Sequence, residues 1–391
     1  MSAQQPILVK TDQAHLEIDV AYARAVLERF SNPWHRYLLT LYLDATAEAL
    51  QNSIATPPAM TGARCDFGRG GGARELTPDE IRQFQRCGYV KLAGILSGQQ
   101  VDALRGAAAV AVESLQASPN SYNVTTAADA LWNAAAAIDT GGSTQHDLPA
   151  LARAVAQSDL PRLLDEARPD QTRGNFLLDT GVWRRVPGLA AFALASQLPH
   201  LSAELLNIAS VRFFDDQIFI KEAGAIDRVA FHQDLTYFHL DGIAGCVFWI
   251  PLDPVRSGSG RMGYVPGSHL WGKLFKPNIF ASQLPFPGSD GLDMPDIDVD
   301  PAAHGVEYVD VEPGDVLVHH LLTVHGSEGN QGGAPRRAIS LRYIDAAMRY
   351  RSRPGAPPQP LHRADAKDGD PLDEAIHPVV WPPAPSRKSV S

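Results

Sequence analysis

The spacing of apolar residues changes character near residue 210. Upstream they recur with a helical period; downstream they come in short runs broken by Gly, Pro and Asp. Leu16, Val20, Ala23, Leu27 and Phe30 share a helical face, and Asn32-Pro33 supplies a cap followed by a first-turn proline. A second face follows in Tyr37, Leu38, Leu41, Tyr42, Ala45 and Ala49. Residues 12–54 therefore read as two helices, making 1–54 a helical N-terminal extension. Residues 55–74 form a Gly- and Pro-rich linker; its GRGGGAR is not a phosphate loop, because no Gly-Lys-Ser/Thr follows and no strand feeds it. Thr77-Pro78-Asp79-Glu80 predicts a helix start, with a Thr cap, a first-turn Pro and Glu at the capping-box position. That helix ends near Gly88, and Tyr89–Leu92 reads as a short strand. Residues 98–200 are Ala-rich and read as mostly helical, apart from a Gly/Ser/Thr-rich interruption near 139–145.

From about 210 the runs VRFFDDQIFIK, RVAFHQD, GCVFWIPLD, RMGYVP, VEYVDV, DVLVHH and RRAISLRYI predict strands. Many short strands at this spacing indicate a sandwich or barrel rather than alternating βαβ units. A Pro- and Asp-rich loop at 272–303 interrupts them, and residues 351–391 read as an irregular Pro-rich tail that wraps the surface or is disordered. The expectation is an α+β chain with a mainly β core: a domain over 75–350, its strands concentrated at about 210–346.

Composition narrows the function. The chain has 391 residues, 45% of them hydrophobic, enough to bury a substantial core, and a formal net charge of -10. An acidic balance repels phosphate backbones and anionic membrane surfaces, so neither a nucleic acid nor a membrane is the expected partner. Nothing calls for an obligatory protein partner either. Cys65, Cys87 and Cys246 are odd in number and widely spaced, which points to a reducing compartment. The N-terminus lacks the charged and apolar regions of a signal peptide, and no run is long enough to span a bilayer, so a cytoplasmic location is expected.

Candidate chemistry lies in Phe231-His232-Gln233-Asp234, at the end of a β-like run. Residues two apart on a strand face the same way, so His232 and Asp234 can reach one metal together. A second histidine would complete a facial triad that binds Fe(II) and leaves open positions for a co-substrate and O2. His325, after DVLVHHLLTV, is the candidate. Arg336 opens a later strand, where its planar fork suits a carboxylate. Arg336, Ala338 and Ser340 would share one face; Arg337, Ile339 and Leu341 would share the other. Spacing alone leaves rivals, since His239-Leu240-Asp241 repeats the pattern and His319 and His320 compete with His325.

The ordered motifs HQDLTYF, VFWIPLD, GYVPGSH and HGSEGNQGGAPRRAIS, with the opening LTPDEIRQFQRCGYVKLAGILS, closely resemble the phytanoyl-CoA dioxygenase family over residues 75–346. The resemblance implies a double-stranded β-helix (jelly-roll, cupin-like) barrel flanked by helices, and an Fe(II)- and 2-oxoglutarate-dependent dioxygenase that uses O2. It implies iron ligands at His232, Asp234 and His325 and a 2-oxoglutarate anchor at Arg336. It also places Gln233, Trp249, Ser327 and Gln217 near the co-substrate, puts His239 on the substrate side and makes His269 structural. Hydroxylation of an unactivated C–H bond in a small natural-product or amino-acid-like molecule, releasing succinate and CO2, is the expected reaction. Asp234 stands where halogenating relatives carry a small residue, which argues against halogenation. The alternatives are a non-catalytic binding barrel, a desaturase or cyclase of the same cofactor class, or action on a CoA- or carrier-linked acyl group. No basic cluster marks a coenzyme A site. The acidic loop at 272–303, with Asp290, Asp293, Asp296, Asp298 and Asp300, reads as a lid or recognition loop rather than a cation site.

Overall fold

The short apolar runs after residue 210 pair as antiparallel strands, and their alternation decides which side chains face a helix layer and which face a cavity. The computed structural model describes residues 7–10, 15–18, 74–113, 115, 118, 121–126, 129, 173–280, 282–286, 288–356 and 365–382. Its strands are β1 (Ile7–Lys10), β2 (His15–Ile18), β3 (Tyr89–Leu92), β4 (Ser121–Asn123), β5 (Phe176–Thr180), β6 (Val211–Lys221), β7 (Val229–His232) and β8 (Leu240–Asp241). There follow β9 (Gly245–Pro251), β10 (Met262–Tyr264), β11 (Glu307–Val309), β12 (Val316–His320), β13 (His325–Ser327), β14 (Arg336–Asp345), β15 (Arg349–Tyr350) and β16 (Val379–Trp381). A large sheet runs in the order β3-β12-β9-β14-β6-β5-β4, with β16 also pairing to β6; a smaller one runs β11-β10-β13-β7. The two face each other as the halves of a double-stranded β-helix, without closing into one hydrogen-bonded barrel.

On the outer face of the large sheet, Phe213, Ile218, Phe248, Ile250, Val318, Ile339 and Leu341 pack against helices Pro78–Cys87, Gly98–Glu113, Pro187–Ala195 and Leu198–Leu206. The alternating inner positions carry the chemistry: Gln217, Trp249, His319, Ser340 and Arg342. β6 bulges at Phe214, which has no partner in the register, so Asp215 and Gln217 still stand opposite Arg342 and Ser340.

Helix Pro78–Cys87 starts as its sequence predicts, with the Thr77/Glu80 capping box formed and Gly88 ending it in a left-handed conformation. A Cβ on Gly88 would lie 2.4 Å from His269 Nδ1, so only glycine lets this turn pack there. His269, expected to be structural, is buried beside it, its Nε2 3.1 Å from the Gln85 carbonyl.

Three expectations change. Residues 15–18, assigned to a helix, form β2 paired with β1; Leu16 fits the helical face with Val20, but it also alternates with Ile18 as in a strand, and the Ile7–Val9 run offers a strand to pair with. The rest of the expected helices at 12–54, like the linker at 55–73, lies outside the described residues. Within the span 98–200, residues 121–123 and 176–180 are strands that extend the large sheet beyond β6. The tail does wrap the fold, but not irregularly throughout. β16 adds to β6, Trp381 is buried in the main core, and Arg349 bridges to Pro371. No helix among the described residues is long and apolar enough to cross a membrane.

Replacing Trp381 by Ala should cost about 3–5 kcal/mol in a urea unfolding measurement. Burial pushes the imidazoles of His269 and His377 down to about 4. Because the unfolded chain takes up protons that these folded sites refuse, stability should be full above about pH 6.5 and fall steadily toward pH 4. A His269→Gln variant should show a shallower fall of the urea midpoint over that window.

Candidate metal centre and its cavity

β7 ends at His232, and the chain then tightens into a single turn over Asp234–Tyr237, so both His232 and Asp234 point inward. His325 opens β13 directly opposite His232 in the antiparallel register. The two imidazoles are oriented alike. His232 Nδ1 lies 2.8 Å from the Ala230 carbonyl and His325 Nδ1 lies 2.9 Å from the Thr323 carbonyl. A carbonyl only accepts, so Nδ1 carries the proton in each ring and Nε2 presents a lone pair. Those Nε2 atoms stand 3.4 Å (His232) and 3.8 Å (His325) from Asp234 Oδ1. Each of the three buried residues offers a ligand atom within 4.8 Å of the others. Two imidazoles and one carboxylate on one side of a cavity are the donor set and geometry of a facial triad.

The electrostatics keep this donor set ready. Burial opposes ionisation of Asp234, but the surrounding imidazoles of His232, His319 and His325 and the guanidinium of Arg342 outweigh it, holding the carboxyl well below its ordinary range. Burial holds His325 neutral, with the neighbouring His319 and His232 adding to the effect.

The cavity beside the triad encloses about 440 Å³, its mouth included. Its far end is cationic. Arg336 is 3% exposed, its guanidinium carbon lies 5.4 Å from the Trp249 ring centre, and its Nε has no hydrogen-bond partner among the described residues. Burial pulls the group down to about 10, against a small opposing pull from Asp253. Gly260 sits against it with φ 81°, and a Cβ there would come within 2.9 Å of Arg336 Nη2. Arg337 lies on the other strand face and is satisfied by Asp253, with Nε 2.9 Å and Nη2 2.6 Å from its oxygens. The alternation along β14 thus separates a structural arginine from one whose Nε is unsatisfied among the described residues.

Trp249, Ser327 and Gln217 line the cavity with Arg336. Gln233 does not. Standing between two inward residues, it points away and binds backbone: its Nε2 donates to the carbonyls of Leu322 (2.9 Å) and Lys273 (3.2 Å), and its Oε1 accepts from Phe275 N. It ties the 272–303 loop to the centre. His239 is also absent from the cavity lining, because the turn after Tyr237 sends it outward, where its Nδ1 accepts from the Arg353 amide. On β12, alternation sends His319 inward and His320 toward Phe84 and His269.

Sequence reasoning missed Lys221, Arg342 and Phe280. Lys221 is fully buried and donates to Ser327 Oγ and the Asp227 carbonyl, both at 3.0 Å, and to the Glu328 carbonyl. This leaves the Ser327 hydroxyl proton free to point elsewhere. Arg342 shares the inner face of β14 with Arg336 and donates to Gln217 Oε1 at 2.8 Å; that inward alternation was the one signal available for it. Phe280 comes from the 272–303 loop in a left-handed conformation (φ 63°), its ring 5.4 Å from that of His232. Asn278 holds it there, accepting from the Phe280 amide and donating to the Phe231 carbonyl.

A model of the phytanoyl-CoA dioxygenase (PhyH) family matches residues 84–338, about two thirds of the chain. The chain belongs to the phytanoyl-CoA dioxygenase family. This dioxygenase-family chain is 31% identical to a probable phytanoyl-CoA dioxygenase of Caenorhabditis elegans, over 32% of its own length and 38% of that protein. It is 28% identical to phytanoyl-CoA dioxygenase 1 of Oryza sativa subsp. japonica, over 36% of its own length and 50% of that protein. The matches thus span half or less of these relatives. The crystal structure of the non-heme alpha-ketoglutarate-dependent carbocyclase SnoK from nogalamycin biosynthesis superposes with a TM-score of 0.54 at 24% identity. It covers 80% of this chain and 100% of that one, which establishes the shared fold.

A buried cation without a partner costs stability. Arg336→Met should therefore raise the urea midpoint of the metal- and ligand-free dioxygenase-family protein, by an amount worth about 1–4 kcal/mol. A lowered midpoint would show that Arg336 already has the partner it needs.

Proposed function

We propose that this chain is an Fe(II)- and 2-oxoglutarate-dependent dioxygenase that hydroxylates an unactivated C–H bond of a small molecule. One observation carries the reading: a His/Asp/His donor set and a buried guanidinium with an unsatisfied Nε line the same cavity. A metal answers the first and a carboxylate the second. 2-Oxoglutarate, which chelates through its keto-acid end and has a second carboxylate at the other, answers both together. Here His232, Asp234 and His325 hold the iron. Arg336 takes the distal carboxylate, with Trp249 under the guanidinium, and Ser327, its hydroxyl oxygen occupied by Lys221, donates its proton to the same end. Gln217, on the inner face opposite Ser340 and bound to Arg342, lines the same cavity. Bound iron with O2 supplies the oxidation of the C–H bond, while 2-oxoglutarate leaves as succinate and CO2.

The protein's own contribution is to orient, and to keep water away from the reacting bond. Phe176, Phe219, Val229, Met262 and Phe280 give the cavity an apolar wall, which suits a substrate whose reacting portion is uncharged. Ring formation is the second reading, supported by the likeness in fold to a carbocyclase that the structure of SnoK describes. It uses the same ligands, and product analysis separates the two.

The test is succinate release under air, with Fe(II) and 2-oxoglutarate, across a panel of small apolar metabolites. Wild type should form succinate, and His232→Ala or His325→Ala should lose at least about 10–100-fold of it. Arg337→Ala should keep most of it. Unchanged turnover in His232→Ala would remove the assigned ligand; binding of 2-oxoglutarate without any succinate would mark a binding protein. Gly260→Ala, by crowding Arg336, should raise the KM for 2-oxoglutarate more than it lowers kcat.

A further inference from the structure

The two oxygens of Asp234 have different neighbours. Oδ1 faces His232 and His325, whereas Oδ2 lies 3.5 Å from His319 Nε2 and 3.9 Å from Arg342 Nε. His319 comes from β12 in the opposite sheet and is 1% exposed, its ring 4.1 Å from that of His325. On its other side, Nδ1 lies 3.2 Å from the hydroxyl of Tyr264 on β10. Among the described residues, Nε2 has no hydrogen-bond partner apart from its approach to this carboxylate.

We propose that His319 is a positioning residue for the metal centre, held by Tyr264 in the tautomer that donates from Nε2 to Asp234 Oδ2. The inference rests on the iron reading above. The tautomer follows from charge: His319 lies outside the His232/Asp234/His325 set that a metal would bridge, so a bare Nε2 lone pair against Oδ2 would be repulsive with no cation between them, and the proton belongs on Nε2. Nδ1 then accepts, and the Tyr264 hydroxyl is the donor that supplies it. His319 is not a fourth ligand in this arrangement. The rings of His232 and His325 are each oriented by a backbone carbonyl two residues upstream, which aims Nε2 at Oδ1; the ring of His319 is oriented by a side chain of the smaller sheet, which aims Nε2 at Oδ2. The consequence is functional. With Oδ2 held by an N–H donor, Asp234 ligates through Oδ1 alone. A carboxylate ligating through both oxygens would occupy one of the positions that co-substrate and O2 need.

Cobalt(II) binding, followed anaerobically by its visible absorption, tests this without turnover. His319→Phe keeps a flat ring and removes the donor; it should weaken cobalt binding by about 10–100-fold. It should also weaken 2-oxoglutarate binding when cobalt is saturating. His319→Gln offers an amide N–H and should recover most of both losses, and Tyr264→Phe should weaken both in the same direction, less severely. Thermal melts of the metal-free variants check folding; if His319→Phe does not fold, Tyr264→Phe and His319→Gln carry the test. Wild-type cobalt affinity in His319→Phe or in Tyr264→Phe overturns the proposal, as does a Gln variant that recovers nothing relative to Phe. A wild type that binds no cobalt contradicts the metal centre itself, and this inference with it.

Discussion

The antiparallel pairing of β7 with β13 sets His232 directly across from His325, and every other feature of the centre is arranged around that register. A slip of one residue would turn one imidazole out of the cavity, because strand side chains alternate. Several contacts resist such a slip. Each ring is tied to a carbonyl two residues upstream, Gln233 fastens the strand end to Leu322 and Lys273, and β10 pairs with the other side of β13. The smaller sheet thus supplies the imidazoles already aimed, and the turn after Gln233 brings Asp234 to them.

The larger sheet supplies charge. Along the inner face of β14, Arg336 and Arg342 stand at opposite ends of a run that includes Ser340, on the order of 20 Å apart along the strand. The Nε of each lacks a hydrogen-bond partner among the described residues, but Arg342 donates to Gln217 and lies near Asp234, whereas Arg336 has only the Trp249 face. That asymmetry gives the cavity a direction, with the anion-seeking end at Arg336 and the carboxylate ligand toward the other. Strain is concentrated in the same place. Phe280 adopts a backbone conformation unfavourable for a bulky side chain, and the buried Asn278 network holds it against His232.

Much of this was legible in the sequence where it depended on local pattern. Short apolar runs identified the longer strands from 211 onward, though not the short His325–Ser327, and alternation put His232 and Asp234 on one side and separated Arg336 from Arg337. The capping box at Thr77 was readable because all its parts lie within four residues. What stayed hidden depends on contacts distant in sequence. Phe176–Thr180 is a strand because β6 lends it an edge, and Val379–Trp381 because the tail returns to that same strand. Lys221 gains its meaning only from Ser327 and Glu328. His319 and His320 are indistinguishable by type, and only the pairing of β12 with β9 shows which of them faces the His232/Asp234/His325 set. The resemblance to a family carried Gln233 into the site, whereas its position between two inward residues, just past the end of β7, points it out of the cavity.

The central claim is that one cavity holds a metal and a dicarboxylate together. Anaerobic titration of the metal-free protein with Fe(II) and 2-oxoglutarate tests it most directly, through the weak visible charge-transfer band of a chelated keto acid. The account predicts that the band saturates at about one 2-oxoglutarate per chain and that Arg336→Met needs far more 2-oxoglutarate to develop it. A wild type with no band, or an Arg336→Met protein that titrates like wild type, would contradict it.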